Sequence, residues 1–123
     1  MRYNVVKEGK PYPDGRAIEL GAIHMPDGKE NIPVTMTNSG GPIVGFAEDL
    51  QRDDDGNVSL DIFITDVEPL RGRVVGDFDF GFSLEVVMWN EGNDMGIVRA
   101  AFIRCVHLQA KGVIPNAYQP PNN

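Results

Sequence analysis

The sequence predicts an all-β fold with at most one short helix: a small closed or partly open barrel of about seven strands. Three observations predict it. The 14 glycines and 9 prolines in 123 residues punctuate the chain too often for long helices. Several segments alternate apolar and polar residues with period two. Long and short connections interleave, which fits a sandwich or a barrel and favours a closed or partly open barrel.

In order along the chain, "KEGKPYPDG" (residues 7–15) reads as a turn-rich connector, with two prolines and a closing Asp-Gly. "RAIELGAIHM" reads as a strand and "PDGKEN" as the turn after it. "IPVTMT" is the next strand. "NSGGP" is a tight loop in which Gly40 and Gly41 permit positive φ and Pro42 restarts an extended chain. "IVGFAEDLQR" is a strand, and "DDDGN" is a hairpin turn marked by Asp55-Gly56. The strand beyond it has the cleanest alternation, with Val58, Leu60, Ile62 and Ile64 on one face. Phe63 interrupts the polar face, which marks it as a residue under a loop or as a partner contact.

"VEPLRGRVVGDFDFG" is irregular and fits a short helix or a long loop. "FSLEVVMW" is a strand with Phe82, Leu84, Val86 and Met88 on one face and Ser83, Glu85, Val87 and Trp89 on the other. "NEGND" is a turn. "MGIVRAAFIRCVHLQA" is apolar for longer than an ordinary strand, so it predicts a bend or bulge. Residues 1–113 form one domain on this reading. Residues 114–123 are a Pro/Asn-rich tail that lies extended along a partner or stays disordered.

Composition narrows the function classes. A net charge of -7 without a basic cluster disfavours direct nucleic-acid binding. An acidic surface prefers basic partners. Cys105 is the single cysteine, so no intramolecular disulfide forms, and its apolar setting predicts a small buried hydrophobe. No apolar run has the ~18 residues of a membrane span, and "MRYNVVKEGK" lacks the apolar core of a leader, which predicts a protein made and kept in the cytoplasm.

Chemistry-bearing motifs are few. "RDDDGN" has consecutive aspartates and no Glu at the twelfth loop position, so a hairpin turn explains it better than a calcium loop. His24 and His107 make no metal-ligand spacing, although Cys105 and His107 share one strand face. "SGGP" lacks the lysine and helix of a phosphate cradle. No cofactor is expected. Ser83 in "GFSLEV" is a nucleophile only if a base lies within hydrogen-bond reach, and the imidazoles on offer are His24 and His107.

Taken in order, the segments over residues 14–118 resemble the prohead (capsid maturation) proteases of tailed phages, which share their fold with the herpesvirus assemblins. "DGRAIELGAI" is similar to that family's early strand. "IPVTMTNSGGPIVGFAEDLQRDDDGNVSLDIFI" is similar to its central hairpin, "GFSLEV" to its serine strand, and "VRAAFIRCVHLQAKGVIPNAY" to its closing strand and exit. Where the family reads Asn-His, this chain has Asn38-Ser39, so the general base is missing there. Ser83 matches the nucleophile in place. His107 falls near a position where some members carry a third polar residue. The family is also longer, with helices that residues 67–81 are too short to hold.

The resemblance with its missing base implies a phage virion protein rather than an enzyme. The expected role is a capsid decoration or minor capsid protein, bound to the major capsid protein through a non-catalytic barrel, with self-association as a second contact. Phe63, Trp89, Tyr118 and Pro120 are the expected partner-binding residues. The alternatives are a compact maturation protease using Ser83 with His24 or His107, and a transient assembly or adaptor protein.

Overall fold

The computed structural model describes residues 1–12, 17–24, 31–37, 40–90 and 96–111. Among them are eight strands: β1 (Arg2–Lys7), β2 (Ala17–Ile18), β3 (Ile23–His24), β4 (Ile32–Met36), β5 (Ile43–Arg52), β6 (Asn57–Ile64), β7 (Phe78–Asn90) and β8 (Ile97–Ala110). They form one curled sheet, a partly open barrel in the order β1-β6-β5-β4-β8. The short β2 and β3 lie beyond β4 along the same edge of β8, and β7 covers its other edge.

The local chemistry explains most of these elements. The β5–β6 turn is closed by Gly56 at φ +86°, where an added Cβ would strike the Glu8 carbonyl. The Asp53 carboxylate accepts the backbone N–H of Asp55 and of Asn57 and the Asn57 amide, a local turn lock. The Asn57 side chain, first among several hydrogen bonds, holds the Asp53 carboxyl below its ordinary range. Gly45 lies so close to β6 that any Cβ would overlap the Phe63 carbonyl.

Alternation decides the core. Val58, Leu60 and Ile62 of β6 point inward, joined by Val5 and Val6 of β1, Val34 of β4, Phe80 of β7, and Val106 and Leu108 of β8. The two ends of the sheet meet through side chains, where the Tyr3 ring of β1 lies 5.6 Å from the Phe80 ring of β7.

Three segments differ from the reading of the sequence. Within "RAIELGAIHM", the described residues 17–24 hold two two-residue strands, because Gly21 at φ +85° turns the chain between them. Residues 67–77, which read as one short helix or a long loop, hold two short 3-10 turns, Glu68–Leu70 and Val75–Asp77. β7 begins at Phe78, because pairing with the long β8 extends it. The expected irregularity in the last long strand is present: the β7–β8 register shifts between Ser83 and Leu84, between Val86 and Met88, and between Met88 and Trp89.

Candidate functional site

β8 carries two layers. Val106 and Leu108 enter the core, so period-two alternation sets Cys105 and His107 on the opposite face. Those two are nonetheless 5% and 8% exposed. On one side of β8, parallel pairing with β4 puts Thr35 beside His107. On the other, antiparallel pairing with β7 puts Gly81 opposite His107 and Ser83 opposite Cys105. Gly81 has no side chain, so the imidazole reaches diagonally over it to Ser83.

The result is a connected polar chain. Ser83 Oγ lies 2.9 Å from His107 Nε2. His107 Nδ1 lies 3.1 Å from Thr35 Oγ1. Cys105 Sγ lies 3.4 Å from both Thr35 Oγ1 and His107 Nδ1. Thr35 is 2% exposed and Ser83 is half-buried. Burial pushes the His107 imidazole below its ordinary value of 6.5, so it is neutral at pH 7. A neutral imidazole with Nδ1–H donated to Thr35 leaves Nε2 as acceptor for the Ser83 hydroxyl, which is the tautomer a general base needs.

Ser83 opens on a cleft of about 430 Å³ lined by Pro33, Thr35, Ile43, Ser83, Leu84, Arg104 and Cys105. Thr37, a β-branched residue, stands at φ 68°, two positions beyond Thr35. A non-glycine residue there costs on the order of 1–3 kcal/mol, and such strain concentrates at functional sites.

Of the residues singled out in the sequence, the fold brings together Ser83, His107 and Cys105. His24 stands apart, its exposed ring edge-on to Phe102 at 6.4 Å. Phe63 is 39% exposed and stacks on Phe46 across the β5–β6 ladder at 5.1 Å. Trp89 is 58% exposed and forms one wall of an apolar hollow with Tyr12, Ile18, Phe82, Leu84 and Val98. Asn38, Ser39, Tyr118 and Pro120 lie outside the described residues.

Thr35 and Arg104 were not among the sequence candidates. Thr35 gave no signal beyond a hydroxyl in an apolar strand. Arg104 did give one, as the lone charge in "AAFIRCVHL". Among the described residues no group of three His, Cys, Asp or Glu side chains converges as a metal site, and no helix is long and apolar enough to cross a membrane. No protein-family model, curated protein or solved structure matches this chain.

Proposed function

We propose that this chain is a compact serine hydrolase acting in phage capsid assembly, with Ser83 as nucleophile and His107 as general base. One observation carries the reading: Ser83, which lines an open cleft, has its Oγ 2.9 Å from Nε2 of the buried His107. The expectation of a non-catalytic barrel rested on Asn38-Ser39, where the resembling family has its histidine. His107 offers an imidazole from a different strand. The phage setting rests on the resemblance of the segments, and the all-β barrel is compatible with it.

The chemistry is acyl transfer. Ser83 Oγ attacks the substrate carbonyl carbon while its proton passes to His107 Nε2. Thr35 Oγ1 accepts from Nδ1–H and holds the ring in place as it becomes an imidazolium. His107 then returns the proton to the leaving group as the carbonyl–leaving-group bond breaks. Water, deprotonated by the same nitrogen, releases the acyl group and restores Ser83.

The test is covalent labelling of the purified chain with a fluorophosphonate. The wild type should acquire one label, on Ser83. Ser83→Ala should acquire none, and His107→Ala should label about 10²–10⁴-fold more slowly. A wild type that labels no faster than Ser83→Ala would end the hydrolase reading.

A second reading is favoured by a separate observation. Val86, Val87, Met88 and Trp89 are four consecutive apolar residues of β7, each at least 44% exposed. A run of that kind on a soluble surface marks a partner contact. On this reading the barrel is a decoration or minor capsid protein bound to the major capsid protein. Its copy number in purified particles is the measurement that bears on it.

A further inference from the structure

The β7–β8 register carries a bulge at the site itself. Ser83 pairs with Cys105 and Leu84 with Ile103, so Arg104 is the extra residue on β8. A bulge re-aims the residue it inserts, and here Arg104 joins Cys105 and Ser83 in lining the same cleft. Arg104 is the one charged side chain of that lining. It is exposed, and among the described residues no carboxylate pairs with it, whereas Arg2, Arg52 and Arg99 each meet one. The remaining walls, Pro33, Ile43 and Leu84, are apolar.

A guanidinium is a planar fork that matches a carboxylate through two parallel hydrogen bonds. Beside apolar walls such a pair is stronger than in open water. Arg104 adjoins Cys105, the residue paired with Ser83, and both Arg104 and Ser83 line the same cleft, so one bound molecule can present a carboxylate to Arg104 and a carbonyl to Ser83. The chain as a whole carries -7, so its distant field does not attract anions. Beyond about 8 Å that field is screened at physiological salt, and contact with Arg104 decides.

We propose that Arg104 makes the Ser83 cleft selective for acidic acyl groups, those that carry a carboxylate beside the scissile carbonyl. This inference rests on the hydrolase reading for its substrate, and its test is arranged to separate the two. Glutarate and neutral glutaramide are titrated into the full chain, and the His107 ring signals are followed by NMR. Glutarate should saturate at a concentration about tenfold lower, and Arg104→Gln should remove the difference. Equal titration by the two probes overturns the proposal whether or not the protein turns anything over.

In parallel, the p-nitrophenyl esters of glutaric acid and of its monoamide are compared as substrates. The acidic ester should be preferred about tenfold in kcat/KM, the preference should vanish in Arg104→Gln, and both activities should vanish in Ser83→Ala. An Arg104→Gln variant that slows both esters equally would mean that Arg104 acts on the reaction instead of on substrate charge, and overturns the assignment. Selective glutarate binding with no hydrolysis of either ester would leave the carboxylate site standing and remove Ser83 as nucleophile.

Discussion

At the scale of single residues, the site depends on where one proton sits. His107 is buried, and burial disfavours its charged form, so its pKa lies below the ordinary 6.5. As a base it works when neutral. Fluorophosphonate labelling of Ser83 should therefore be flat from neutral pH down past 6.5 and should fall only as pH drops through the lowered value. A midpoint at or above 6.5 would contradict the burial of the ring. Stability follows the same sign. The unfolded chain protonates this imidazole near 6.5 and the folded chain only below that, so the stability tied to its neutral form is complete above 6.5 and is lost as pH falls toward the folded value. Ser83, His107 and the sharing of one face by Cys105 and His107 were legible in the sequence. The Ser83–His107 contact was not, because it spans 24 residues and is set by strand register. The Thr35–His107 contact spans 72.

At the scale of elements, an ion pair between a buried carboxylate and a partly exposed arginine ties together segments that ladders alone leave loose. Glu8, at the end of β1, is fully buried. Its Oε1 accepts from Gly21 N–H at 3.0 Å and from Arg52 Nε at 2.5 Å, and its Oε2 accepts from Ile23 N–H at 2.8 Å and Arg52 Nη2 at 3.0 Å. Arg52 also donates to the Ile23 carbonyl. One carboxylate thus fixes β1, the turn between β2 and β3, and the end of β5. Glu8→Gln leaves Arg52 without its counter-charge and turns an acceptor into a donor facing donors. The expected loss is about 3 kcal/mol, read as a lower midpoint in urea unfolding with the slope unchanged. A loss under about 1 kcal/mol would mean that water replaces the pair at little cost. Residues 7–15 read as a simple connector in sequence, because nothing local distinguishes a buried glutamate from a solvated one.

At the scale of the whole molecule, the curl of the sheet does two things. It closes the core where Tyr3 meets Phe80, and it leaves Val86 to Trp89, at the far end of the β7–β8 ladder, exposed. An acidic chain with an exposed apolar run on one strand suits a partner surface that is basic around an apolar centre. If the capsid reading is right, quantitative mass spectrometry of purified mature particles should find this chain in a simple ratio to the shell protein. A near-zero count would remove the decoration role and leave action during assembly, where a hydrolase would work. The two readings are separable in the same particles, since loss of shell-protein processing in Ser83→Ala with the copy number unchanged would assign the barrel both tasks.

The sequence by itself determined the all-β class, the Asp55-Gly56 hairpin, the inward face of β6 and the presence of a bulge in the last long strand. Each of these follows from neighbours within a few residues: side-chain alternation, a glycine at positive φ, or an apolar run too long to stay regular. Only the tertiary structure decided that β8 sits between β4 and β7, and everything at the candidate site depends on that. Thr35, His107 and Ser83 meet because the remote strand β4 and the neighbouring strand β7 both pair with β8 in fixed register. Arg104 joins them because one residue of β8 is left over at that point in the ladder. A shift of one residue in either pairing would turn each of these side chains to the other face of the sheet.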